Sequence, residues 1–216
     1  MIAVARTHLV WDWNGTLLDD LSLVVSSTNH AFAAVGGPPV DADEHRARYR
    51  RPVAEFYAEI LERAVDEEEF GRLDKIFHDA YRLGLTSMTL AGDAMTAIKS
   101  WAGSQSLLSM WFHNELVPAI DTYGLGGVFT RVDGLRTEVG GHLKAGHLAA
   151  HLAELGVPGD RAVLIGDSLD DAAAADSVGG AVVLYTGGFT HPDRLRASGR
   201  PVADTLVEAV EIARGL

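Results

Sequence analysis

Residues 8–17, His-Leu-Val-Trp-Asp-Trp-Asn-Gly-Thr-Leu, decide how the rest of the chain is read. Residues 8–13 are mostly apolar and then meet Asn14-Gly15-Thr16, a pattern that predicts a buried strand breaking into a tight loop. Polar groups in that loop lie at a strand's C-terminal end. The same grammar returns downstream: apolar runs at 106–110, 127–132, 162–165 and 181–185 alternate with helical periodicity near 93–101, 116–123, 144–155 and 170–178. Strands and helices alternating at this spacing predict an α/β fold, a doubly wound parallel sheet with helices on both faces. Ligands of such sheets bind beyond the carboxyl ends of the strands.

Between the first strand and this alternating region the pattern is helical throughout. Leu21, Val24, Val25, Thr28, Phe32 and Val35 share one face until Gly36-Gly37-Pro38-Pro39 stops the helix. Two more helices are expected over 53–65 and 67–83, the second opened by the acidic run 66–69 at its positive dipole end. With no strand pattern in it, the stretch 20–87 reads as a small helical insertion in a core made of 1–19 and 88–216.

Composition narrows the functional classes. The chain has 216 residues, of which 47% are hydrophobic and 22% charged, the balance of an ordinary globular protein. A net charge of -12 without a Lys/Arg cluster argues against nucleic acid as a partner. There is no cysteine, so disulfides and thiolate metal sites are excluded. No apolar run is long enough to span a bilayer, and the expectation is a cytoplasmic protein without a membrane partner.

Three strand ends then carry the chemistry. They are Asp12-Trp13-Asn14-Gly15-Thr16, Ser109 after Leu107-Leu108, and Gly166-Asp167-Ser168-Leu169-Asp170-Asp171, with Lys144 entering a helix between the last two. In a parallel sheet these meet at one edge. Carboxylates on two loops hold a hard cation through oxygen, while a hydroxyl and an ammonium hold a phosphate.

This ordered set resembles the four motifs of the haloacid-dehalogenase-like (HAD) superfamily, whose core is Rossmann-like, and the insertion resembles its helical C1 cap. Arg50-Arg51-Pro52-Val53-Ala54-Glu55-Phe56 resembles the substrate-reading cap loop of the phosphoglycolate-phosphatase-like branch. The resemblance implies a phosphatase that cleaves a small phosphorylated metabolite through an aspartyl-phosphate on Asp12. It implies Mg²⁺ bound by the Asp12 carboxylate, the backbone carbonyl of Asn14 and Asp167, with Asp171 in support. Ser109 and Lys144 would bind the transferring oxygens, and Thr16, Arg50 and Arg51 would serve substrate binding.

One position departs from the pattern. Family phosphatases carry a second aspartate where this chain has Asn14, and an amide supplies neither a proton to the leaving oxygen nor a base for water. Slow chemistry is expected, since such help is worth about 10²–10⁴-fold. A substrate whose leaving group needs no protonation, a substitute donor such as His113, or a binding protein with little turnover would each accommodate Asn14. Phosphonatases of the superfamily also lack that aspartate but need a cap lysine, and the insertion offers only Lys75. Among the remaining candidates, Trp13 is expected at the pocket and Trp11 in the core. His142, His147 and His151 are expected on a solvated or packed helix face rather than as metal ligands.

Overall fold

The computed structural model describes residues 6–137 and 139–216, so the expected start of the core at residue 1 lies outside the described residues. Strand β1 (His8–Trp11) is buried along its whole length. It runs parallel between β4 (Ser104–Phe112) and β6 (Ala162–Gly166), with Trp11 opposite both Leu107 and Ile165. With β5 (Val132–Leu135), β7 (Ala181–Tyr185) and β8 (Val202–Ala203), the six-stranded order is β5-β4-β1-β6-β7-β8. Every pairing in this sheet is parallel. The connection leaves β1 for β4 on one side and then crosses to β6 on the other, which puts β1 at the switch point where such sheets open a binding crevice.

Side chains alternate between the two faces of the sheet. Leu9, Trp11, Leu107, Val163 and Ile165 join one apolar core, which also takes in α5 (Ala94–Ser100), α6 (His113–Thr122) and α10 (Leu206–Arg214). Val10, Leu108, Leu164 and Val182 join the other, against α7 (Ala145–Leu155) and α8 (Leu169–Ser177). Burial on both faces explains the near-continuous apolar runs of these strands. Sequence reading missed α9 (Pro192–Ala197) and β8, which are short, and also α10, although Leu206, Ala209, Val210 and Ala213 give it an i, i+3, i+4, i+7 apolar face.

Residues 20–87 hold α1 (Leu21–Ala33), α2 (Ala42–Arg48), α3 (Val53–Ile60) and α4 (Glu67–Gly84). They are bracketed by a two-stranded antiparallel ribbon, β2 (Leu18–Asp19) with β3 (Thr89–Leu90). Asp66 caps α4 by accepting from the Glu69 N–H at 2.8 Å, which is the role expected of that acidic run. Helix α2 was not expected, because its sequence ADEHRAR has almost no apolar face.

Two strand boundaries differ from expectation. The run at 127–132 becomes strand only at Val132, since Gly127 takes a positive φ of 73° in the turn that precedes it. Strand β4 continues to Phe112, so Ser109 lies inside it rather than after its end.

Candidate active site

Asp12 is the first residue beyond β1, with its N–H donating to Ile165 O at 2.9 Å. Asp167 follows β6, and Asp171 sits in the first turn of α8, where it and Ser168 form a reciprocal capping box. The ligand oxygens of Asp12, Asp167 and Asp171 all lie within 4.8 Å of one another, and all three residues are buried. Lys144, at the N-cap of α7, is 2% exposed and places its Nζ 2.9 Å from Asp12 Oδ1 while also contacting Asp171 Oδ1.

Burial raises the Asp12 carboxyl above its ordinary range, and Asp171 adds to the rise, against the opposing pull of Lys144. Burial together with Asp12 and Asp171 raises Asp167 well above its ordinary range. Burial disfavours the Lys144 ammonium, but the carboxylates of Asp12 and Asp171 outweigh it and its pKa is raised. One ammonium among three buried carboxylates leaves the cluster short of positive charge. An all-oxygen donor set in this state fits a hard divalent cation.

Close backbone approach shapes the cluster. Gly15 has φ of +71°, and a Cβ there would stand 2.7 Å from Asp167 Oδ2. A Cβ on Gly188 would strike the same oxygen and the Gly15 carbonyl. The neighbouring Phe189 N–H donates to Asp167 Oδ2 at 2.5 Å.

Asn14 is held by partners on three elements. Its Nδ2 donates to Asp20 Oδ2 at 2.9 Å and to Tyr81 Oη at 2.8 Å, while its Oδ1 accepts from Ser109 Oγ at 3.2 Å. Asp20 is fully buried, accepts from the Gly15 N–H at 2.7 Å and from Tyr81 Oη at 2.7 Å, and is pushed up to about 6 by burial. An amide, with two N–H donors, satisfies this arrangement in a way a carboxylate does not.

The other expected site residues divide. Arg51 lines the chamber of Asp12, Lys144 and Asp167, with Nη1 donating to His142 O at 3.1 Å and Nε 4.0 Å from Asp170. Arg50 does not line that chamber; it pairs with Glu59 at a half-exposed surface and lines, with Arg51 and Asp170, a neighbouring pocket. Thr16 is buried, and its hydroxyl is committed to Asp167 Oδ1 at 3.2 Å. The Ser109 hydroxyl lies between Asn14 and the Trp111 N–H, from which it accepts at 3.0 Å.

Trp13 is packed in the core, edge-on to Tyr123 at 5.5 Å, rather than at the pocket. His113 is turned to the Gly134 N–H and Arg136, away from the chamber. Lys75 is exposed and pairs with Asp79, so it offers no desolvated amine for a Schiff base. His151 is a packed histidine between Asp133 Oδ2 at 2.7 Å and Ser106 Oγ at 2.8 Å. The residues that sequence reasoning missed are Asp20, Tyr81, Tyr49, Gly188 and Phe189. Only Asp20 carried a local signal, as a second consecutive acid just before an apolar helix.

Residues 139–209 match the HAD-hydrolase-like family model. The chain is 27% identical over 189 residues to a phosphoglycolate phosphatase of Caulobacter vibrioides, covering 84% of this chain and 80% of that protein. Together these support a haloacid-dehalogenase-like hydrolase. A phosphoglycolate phosphatase of Mesorhizobium japonicum is likewise 27% identical, over 87% of this chain and 86% of its own length. The fold is shared with a predicted phosphatase from Clostridium acetobutylicum, at a TM-score of 0.86 and 16% identity over 99% of this chain and 100% of that one. Among the described residues no helix is long and apolar enough to cross a membrane.

Proposed function

We propose that this HAD-like hydrolase is a phosphatase that cleaves a small phosphomonoester through an aspartyl-phosphate on Asp12. The observation that carries the reading is the buried cluster of Asp12, Asp167 and Asp171 with the Lys144 ammonium bonded to Asp12. The phosphatase names of two relatives support it. Asp12 presents the nucleophilic oxygen, Lys144 neutralises charge beside it, and Arg51 and Lys144 are the cations that receive the phosphoryl oxygens.

Asp12, Asp167 and the backbone carbonyl of Asn14 would hold Mg²⁺, with Asp171 orienting Lys144. The ion supplies charge neutralisation between the carboxylates and the phosphate dianion. The Asp12 oxygen forms a bond to phosphorus as the ester P–O bond breaks and its electron pair leaves with the alcohol oxygen. Water then attacks phosphorus, releasing phosphate and returning the Asp12 carboxylate. In this reading residues 20–87 act as a cap over the strand ends, Thr16 holds Asp167, Ser109 holds Asn14, and Arg50 stays outside the substrate.

The test is Mg²⁺-dependent phosphate release from p-nitrophenyl phosphate by the native chain and by Asp12→Ala. Release that requires both Mg²⁺ and Asp12 supports the reading, and metal-independent release, or release undiminished in Asp12→Ala, overturns it.

A further inference from the structure

Behind the Asp12 chamber lies a larger cleft of about 640 Å³, open space at its mouth included, between the helices of residues 20–87 and the sheet. The two adjoin, since Asn14, Tyr49, Arg51, Met110 and Phe189 line both. The cleft wall is aromatic: Tyr49, Phe56, Tyr57, Phe77, Trp111 and Phe189. Several of these rings pack edge to face, as Tyr49 does on Phe56 at 5.8 Å and on Phe189 at 5.6 Å. Such a wall offers ring faces and edges to a flat ligand ring.

Polar atoms in this wall lack partners. His45 Nδ1, His78 Nδ1 and Trp111 Nε1 are buried without a hydrogen bond, and His45 and Trp111 are 1% and 4% exposed. Burial lowers the His45 pKa to about 4, so its ring is neutral at ordinary pH. The charged groups of the cleft are Arg51, already near Asp170, and Asp74, which takes the Gly140 N–H at 3.1 Å and lies 3.4 Å from His78. A leaving group that carried a carboxylate past Arg51 would meet Asp74. A neutral ring meets no like charge there.

Asn14 points the same way by an independent route. It has no proton to give the departing oxygen, and its amide is committed to Asp20 and Tyr81. An aliphatic alkoxide leaves slowly without a proton, whereas a phenol, with a pKa of about 10, leaves as the anion.

We propose that the substrate is an aryl phosphate, a phosphorylated phenol of neutral overall ring chemistry, with its ring in the aromatic cleft and its phosphate at Asp12. This rests on the phosphatase reading above but is tested apart from it. Calorimetric titration of the Mg²⁺-loaded protein compares non-hydrolysable benzylphosphonate with phosphonoacetate, the carboxylate-bearing counterpart. Benzylphosphonate is expected to bind at least about ten-fold more tightly. Equal or tighter binding of phosphonoacetate overturns the proposal whether or not the protein turns over any ester.

Val53→Phe, which narrows the cleft without touching the Asp12 cluster, is expected to erase the benzyl advantage while binding of inorganic phosphate persists. An unchanged benzyl advantage in a folded Val53→Phe protein would place the ring elsewhere. Should that variant not fold, the titration of the native chain decides. In turnover, phenyl phosphate is expected to exceed benzyl phosphate in kcat/KM by about 100-fold or more, because the two share a ring and differ in the need for a proton in the first step. Comparable kcat/KM for the two would overturn the leaving-group argument.

Discussion

Replacing Asn14 with aspartate is the change that family comparison recommends for restoring activity, and the structure predicts that it fails alone. The Asn14 Nδ2 lies 2.9 Å from Asp20 Oδ2, so Asn14→Asp sets two carboxylates side by side where Asp20 is fully buried. Carboxylate oxygens about 3 Å apart repel by roughly 5 kcal/mol at an effective dielectric of ~20. That corresponds to about four pKa units for the second ionisation. The pair therefore keeps a proton at neutral pH and carries a single charge.

The stability consequence has a definite sign. A carboxyl whose folded pKa is raised contributes its stability below the unfolded value of about 4 and loses it as pH rises through the folded value. Asn14→Asp is thus expected to match the native protein near pH 4 and to fall behind as pH rises, melting about 10 °C lower by pH 8. The double change Asn14→Asp with Asp20→Asn puts one amide back between the two positions. It is expected to recover the melting temperature and to raise kcat on benzyl phosphate by about ten-fold or more, since the new carboxyl at position 14 is then free to donate. Melting curves and kcat from pH 5 to 9 on the three proteins decide it. If the single variant is as stable as the native chain at pH 8 and turns over faster, the account of Asp20 is wrong.

Further outcomes follow from the charge cluster. Without divalent cation the raised Asp12 and Asp167 carboxyls lose stability as pH rises above the ordinary carboxylate range, so the melting temperature should fall from pH 5 to 8. Added Mg²⁺ should remove most of that fall and chelation should restore it. Lys144→Met leaves buried carboxylates unpaired and is expected to cost about 3–5 kcal/mol in urea unfolding at pH 7, with less loss at pH 5 and no measurable phosphate release. Gly188→Ala places a methyl against Asp167 and the Gly15 carbonyl, and should weaken Mg²⁺ binding by calorimetry at least about ten-fold while far-ultraviolet circular dichroism stays native-like.

The core was legible because buried parallel strands write themselves as short apolar runs and each is followed at once by polar residues. Asp12, Asp167 and Asp171 stood out on that ground and Lys144 by its place at a helix start, and the structure brings their side chains together. What surrounds Asn14 was not legible. Tyr81 is 61 residues from Asp20, and their contact depends on how α4 lies over the sheet edge. Arg50 and Arg51 are adjacent in sequence yet only Arg51 lines the Asp12 chamber, and nothing local distinguishes them. Ser109 was placed past a strand end because polar residues usually are. Strand β4 instead continues through Met110, Trp111 and Phe112, whose side chains are buried. The aromatic cleft was invisible for a similar reason, since its wall is assembled from α2, α3, α4 and the segments around Trp111 and Phe189.

The most direct test of the account is acid-quench trapping of the Mg²⁺-loaded protein during turnover of phenyl phosphate, followed by peptide mass spectrometry. Because Asn14 leaves the attacking water without a base, the second step should be slow and the intermediate should accumulate. The account predicts a burst of phenol approaching one equivalent per site and a phosphoryl group on Asp12 that hydroxylamine removes. Steady phosphate release with no phosphoryl group on Asp12, or release that survives Asp12→Ala, would contradict it.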